Sequence, residues 1–257
     1  MEKIFIVGEG FIGEHLCRYF TEKYSKDKVI YFTDTKLKII DKENYNICDI
    51  NSIFKYNSID CIVNSLEDME FIQKVTKISN INQYHQIMTK KNKNIIDLLK
   101  KNSFKVTLSY INMLYGPGQE MTEVISLWID RIVKNKSIEL KRNYTRGWVF
   151  IMDYCRAVDI ILQQGVDKES YGISSDFHIT DLEVIHEIIR LLNKSRSLVR
   201  DNHAELMDKT QEHTKIKELG WQPVKKFKDG LELTIKWYML ETFGEHIKNI
   251  LIKAANK

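Results

Sequence analysis

The residues best suited to chemistry stand at the head of the chain. Lys3-Ile4-Phe5-Ile6-Val7 runs straight into Gly8-Glu9-Gly10-Phe11-Ile12-Gly13, and a helical pattern follows. In such a turn the first glycine allows a tight bend, the second lets the backbone approach a pyrophosphate, and the third lets helix and strand pack closely. The helix N-terminus then meets the phosphates with unpaired N–H groups. A bare glycine pattern says little; one that follows a strand and opens a helix has the order a dinucleotide site requires. Asp34 ends the next strand and lies about twenty residues beyond the glycines, where a carboxylate accepts from a ribose 2′-hydroxyl. That acid favours NAD over NADP, since it would repel a 2′-phosphate. Lys36 and Lys38 pull the other way, and a solvated strand-end turn is the plain alternative.

These residues need elements to position them. The apolar periodicity predicts a first helix over 11–24, strands over 28–32, 60–65 and 104–110, and mostly helix over 67–101. Strands alternating with helices behind one glycine-rich first turn predict an α/β, Rossmann-type doubly wound parallel sheet. The second half reads differently. Tyr115-Gly116-Pro117-Gly118-Gln119 is a turn, followed by an amphipathic helix over 122–133, short strands over 137–140 and 148–151, and helices over 153–164 and 181–193. Thr180 and Glu183 form a capping box for the last of these, and another helical region begins at 227. The result is a smaller C-terminal α/β lobe.

A chain of 257 residues can bury a substantial core. Its net charge of +4 is spread among many lysines and acids, so it gives no reason to expect nucleic acid. Cys17, Cys48, Cys61 and Cys155 lack paired spacing, which predicts reduced thiols in a cytoplasmic setting, with no metal site. No signal peptide and no membrane span are expected.

The second half carries a resemblance. Arg146-Gly147-Trp148-Val149-Phe150-Ile151-Met152-Asp153-Tyr154-Cys155-Arg156-Ala157 is similar to the "RDW-x-YV-x-DH-x-RA" segment of dTDP-glucose 4,6-dehydratases. Tyr171-Gly172-Ile173 with Thr180-Asp181-Leu182-Glu183 resembles their "YNIGG…TNLE". Glu218-Leu219-Gly220-Trp221-Gln222-Pro223, then Gly230-Leu231 and Trp237-Tyr238, resembles "ELGW-x-P…GL…WY". Gly10-Phe11-Ile12-Gly13 matches "GFIG", and Asp49-Ile50 matches a pair whose carboxylate contacts adenine. The resemblance is to the NAD-dependent epimerase/dehydratase family of extended short-chain dehydrogenase/reductases. It implies a shortened NAD-binding Rossmann domain over 1–115 and a partly interleaved lobe over 116–257 for a nucleotide sugar. It also implies Arg146 on a diphosphate, and a homodimer or pairing with a full-length homologue.

The middle departs from the family's pattern. A catalytic tyrosine normally exchanges a proton with the sugar hydroxyl while a lysine one helical turn away lowers its pKa from about 10. Two alignments compete. In one, Tyr84 is that tyrosine and Met88 stands at the lysine position. In the other, which keeps residues 1–110 collinear and is preferred, 88–101 is an earlier helix, the strand ending at Ser109 carries the catalytic hydroxyl, and the Tyr/Lys helix is deleted. Tyr19/Lys23 and Tyr24/Lys28 match the spacing but belong to the first helix. His178 and His203 read as surface residues, Trp148, Trp221 and Trp237 as core, and 202–209 keeps neither arginine of the family's "RPGHD-x-RY". Two functions remain: an NAD-dependent nucleotide-sugar dehydratase or epimerase with rearranged acid/base groups, or an inactive paralogue that binds NAD or a nucleotide sugar.

Overall fold

The computed structural model describes residues 3–111, 113–208 and 213–255, and side chains there except at 201–204, 208 and 245–255. The first strand, β1 (Ile4–Val7), is buried on both faces and leads into α1 (Gly10–Tyr24). Then come β2 (Val29–Phe32), β3 (Ile47–Cys48), β4 (Ser58–Asn64), α2 (Met69–Val75), β5 (Asn80–Met88), α3 (Lys93–Lys100) and β6 (Lys105–Ile111). The second half holds β7 (Met113–Tyr115), α4 (Val124–Val133), β8 (Ile138–Phe150), α5 (Ile151–Gln164), β9 (Ser170–Ile173), β10 (His178–Thr180), α6 (Asp181–Leu191), β11 (Val199–Asp208), α7 (Thr214–Glu218) and α8 (Phe227–Ala255).

Seven strands form one parallel sheet in the order β3-β2-β1-β4-β5-β6-β9. Chain progression reverses between β1 and β4, which opens a crevice beyond their carboxyl ends, the place where sheets of this kind bind ligands. One face is covered by α1 and α5, through Leu16, Phe20 and Ile161, and the other by α2 and α3, through Ile72, Ile95 and Leu99. Asp159 of α5, almost fully buried, ties α5 to α1 by accepting from Tyr24 Oη at 2.6 Å, Tyr19 Oη at 3.3 Å and Lys23. Tyr19, Lys23 and Tyr24 of the two Tyr-x-x-x-Lys look-alikes therefore serve helix packing, and Lys28 is exposed. A second sheet has β8 between β10 and β11, with β7 also on β8, and packs against α4, α6 and α8. Residues 151–173 return to the first unit, α5 onto α1 and β9 onto β6.

Two expectations need correction. The stretch 67–101 is helical only in α2 and α3, with β5 between them, because its polar residues find cross-strand partners. Asn64 Nδ2 donates to Tyr84 Oη at 2.7 Å and to Gln86 Oε1 at 3.0 Å on one face. On the other, His85 Nδ1 meets Thr107 Oγ1 at 2.9 Å and Nε2 meets Ser109 Oγ at 2.9 Å. The two short strands expected over 137–151 are the ends of the single β8, whose exposed polar middle hides its continuity from the sequence. The capping box on α6 forms as the sequence reads.

Candidate functional site

Each glycine of the opening turn is held to its role by what surrounds it. A Cβ on Gly8 would stand 2.0 Å from Ser65 Oγ, and one on Gly13 would stand 2.4 Å from the Tyr31 hydroxyl. Gly10 has φ +54°, the left-handed region where glycine is favoured. The side chain of Glu9, which precedes α1, makes no capping hydrogen bond, and Gly10 N donates to Thr35 Oγ1 at 3.3 Å. The next N–H groups of the first turn, those of Phe11 and Ile12, are the ones placed to meet an anion.

On one side of this crest lies a hollow of about 330 Å³ whose lining includes Glu9, Asp34, Ile50, Phe54, Leu66 and Asp68. Asp34 is exposed and uses Oδ1 to accept from Ile50 N at 3.0 Å, which leaves Oδ2 for a ribose hydroxyl. Asp49 caps the short 3-10 turn Ile50–Lys55 by accepting from Asn51 N at 2.9 Å. Lys36 and Lys38 line a separate hollow with Trp237 and Tyr238, so they do not join Asp34. Their loop is fixed by Glu14, a fully buried carboxylate that accepts from Lys38 N at 2.9 Å, Ile39 N at 2.6 Å and Ile40 N at 3.1 Å.

On the other side is a crevice of about 390 Å³ walled by Phe11, Ile12, Thr89, Met113, Glu120 and Trp148, among others. Among the described residues, neither tyrosine nor lysine lines it. Thr89, at the exit of β5, donates from N at 2.7 Å and from Oγ1 at 2.6 Å to Glu67 Oε1. Glu120 reaches back over the turn, its Oε1 only 2.7 Å from where a Cβ on Gly10 would be. The glycine geometry, the open donors and Asp34 fit an adenine dinucleotide. The Glu120 carboxylate opposes its phosphates and sits on a side chain that can swing away.

The residues considered for catalysis lie elsewhere. Tyr84 is fully buried on β5, where burial pushes its phenol up in pKa and Asn64 and Gln86 hold its hydroxyl. Ser109 is also fully buried, 3.0 Å from Tyr154 Oη, inside the core between the sheet and α5. Tyr84 lies on strand β5 and on no helix, against the first alignment, although β6 does lead to Tyr115 as that alignment has it. Helix α3 precedes the strand that carries Ser109, as the second alignment has it, but β5 stands before α3 as a further parallel strand that it did not include. Arg146 is buried, with Nε and Nη2 on the Asp181 carboxylate at 2.7 and 3.0 Å and Nη1 toward Met113 Sδ. A diphosphate would have to displace that pairing. His178 is exposed, Trp148 and Trp221 are buried, and Trp237 is half-buried. The expectations on His203 and on the side chains of 202–204, 208 and 209 lie outside the described residues.

The sequence did not single out Glu120, Thr89 or Glu67. Only Glu9, inside the glycine triplet itself, was a visible sign that this crest carries acid. All four cysteines are free thiols, and among the described residues no helix is long and apolar enough to cross a membrane.

With the geometry established, comparison with known proteins adds the following. Residues 93–174 match the NAD dependent epimerase/dehydratase family. The dTDP-glucose 4,6-dehydratase of Haemophilus influenzae is 29% identical over 145 residues, 50% of this chain and 43% of that protein. The chain thus spans under half the length of the curated relatives it matches. Among solved structures, the dTDP-glucose 4,6-dehydratase of Bacillus anthracis in complex with NAD superposes with a TM-score of 0.75 at 21% identity, covering 93% of this chain and 96% of that one. The UDP-glucuronic acid 4-epimerase of Bacillus cereus, also in complex with NAD, gives 0.78 at 16% identity, over 93% and 97%. These two likenesses establish the fold.

Proposed function

We propose that this chain, which carries a domain of the NAD dependent epimerase/dehydratase family, holds NAD along the glycine crest and a nucleotide sugar in the adjoining crevice without turning the sugar over. The observation that supports the reading is the crevice wall: the glycine crest has the geometry of a dinucleotide turn, yet among the described residues no phenol or amine lines the adjoining crevice. Asp34 Oδ2 would take the ribose and the open N–H groups of α1 the phosphates, with Asp49 and Ile50 beside the adenine. NAD supplies hydride chemistry when bound; the chain's own residues supply position and exclusion of water. The test is thermal unfolding with and without NAD, together with nicotinamide absorbance during incubation with dTDP- and UDP-glucose. The expected result is a cofactor-dependent rise in Tm with no absorbance change. An unchanged Tm would remove the binding reading.

The crevice also supports a second reading, an active dehydratase or epimerase with a rearranged acid/base set. Its support is the Thr89–Glu67 pair, a hydroxyl bonded to a carboxylate at the exit of β5. Turnover of either sugar nucleotide that disappears in Thr89→Val would favour it over the first.

A further inference from the structure

Helix α8 is apolar on two opposite faces. On one, Leu231, Thr234, Ile235 and Tyr238 are buried on the side that packs against α4, α6, β7 and β8. Tyr238 Oη donates there to Asp130 Oδ1 of α4 at 2.6 Å. On the other face Leu233 is 41% exposed and Leu240 is 67% exposed, with half-buried Trp237 between them. A surface helix ordinarily has one apolar stripe and a polar back, so a second stripe calls for a second partner. This one runs on along the helix, which spans 29 residues. From Leu233 the sequence steps by four and three through Trp237, Leu240, Gly244, Ile247, Leu251 and Ala254, whereas 241–242, 245–246, 248–249 and 253 are polar. Alternate steps of four and three make the seam of a coiled coil, whose period of 3.5 residues keeps one stripe against a partner helix. We propose that the partner is a second copy of this chain, its own α8 seated antiparallel on the same stripe.

Size and charge along the stripe select this occupant and this direction. Antiparallel pairing sets Trp237 opposite Ala254, Leu240 opposite Leu251 and Gly244 opposite Ile247, so that the seam meets large with small and leucine with leucine. Parallel pairing would instead set Trp237 on Trp237 and Gly244 on Gly244, crowding one layer and emptying another. On one flank of the antiparallel seam, Glu241 of each copy comes opposite Lys248 of the other, giving two ion pairs by symmetry. On the other flank Phe243 comes opposite Ile250, which widens the apolar contact. An anionic membrane is a poorer match for the same stripe. A helix that lies on such a surface carries a basic polar face, whereas here Glu241 and Glu245 balance Lys248 and Lys253.

Sedimentation velocity of the full chain over a range of concentrations tests this, and the expected result is a concentration-dependent dimer. Leu240→Asp puts a carboxylate into two layers of the seam and should weaken the dimer about a hundredfold. Leu240 is exposed in the single copy, so that variant should keep its fold, read by circular dichroism. Glu241→Lys should weaken the dimer about tenfold by setting lysine against lysine, and adding Lys248→Glu to it should restore the parent affinity. None of these readouts depends on whether the crest binds NAD. A monomer at every concentration would overturn the proposal, as would one that floats with phosphatidylglycerol vesicles in place of self-association. So would a dimer that Leu240→Asp leaves intact, or one that Glu241→Lys weakens and Lys248→Glu does not rescue.

Discussion

Replacing Glu120 by glutamine should tighten dinucleotide binding. Glu120 Oε1 lies 2.7 Å from the point above Gly10 where a Cβ would stand, and a pyrophosphate on the crest must come against that same glycine. At a charge separation of about 5 Å, two unit charges repel by about 0.8 kcal/mol at the dielectric constant of water and about 3 kcal/mol at an effective value of 20. Glu120 is half-buried on a flexible stem, so it can turn outward as the ligand enters, and the lower end of that range applies. About 1 kcal/mol corresponds to roughly fivefold in Kd. Calorimetric titration with NAD at low ionic strength should read that difference between the parent and Glu120→Gln. Raising the salt to physiological strength should narrow it, since the interaction is screened. Adenosine lacks the pyrophosphate and should bind both proteins alike. Equal or weaker NAD binding in Glu120→Gln at low salt would refute the electrostatic reasoning, and so would an equal gain for adenosine.

Two buried histidines make stability depend on pH. Burial holds His15 at about 4 and His85 at about 3, against an unfolded value of about 6.5, so the folded protein keeps both neutral while the unfolded chain protonates. Stability should therefore be full above the unfolded value and fall as pH drops through 6.5 toward 4, by about 2 kcal/mol per histidine between pH 7 and pH 5. Denaturant midpoints at the two pH values would show it, and a flat profile would contradict the neutral assignments. Arg146→Met should cost about 3–5 kcal/mol by stranding Asp181, with most of the loss recovered in Arg146→Met/Asp181→Leu. A single variant as stable as the parent would instead free Arg146 for a diphosphate role.

The opening β–turn–α unit could be read from sequence because every signal there is local: an apolar run, three glycines at fixed offsets and an acid at the end of the next strand. The α6 capping box was legible for the same reason. β5 was not. A strand covered on both faces ordinarily carries an apolar run, but β5 carries Asn82, Gln83, His85 and Gln86, each satisfied by a group on a neighbouring strand or on α5. No local pattern can announce partners that arrive from β4, β6 or α5. The relation between Glu120 and Gly10 was hidden likewise, since only the folded chain brings the Tyr115–Gln119 turn over the glycine crest.

Recognising β5 changes where the departure from the family's pattern falls. All seven parallel strands are present, so nothing is missing from the sheet; the brevity lies in α2 and α3, of seven and eight residues. The start of α3 stands closest in sequence to the exit of β5, yet Lys90, Lys91 and Lys93 are exposed there and none lines the crevice. Thr89 does, tied to Glu67. An aliphatic hydroxyl is a far weaker acid than a phenol, and a neighbouring carboxylate makes its ionisation harder, whereas a neighbouring ammonium would make it easier. On the proposed reading, Thr89 and Glu67 would hold a sugar hydroxyl in this crevice but would be poorly matched to taking its proton.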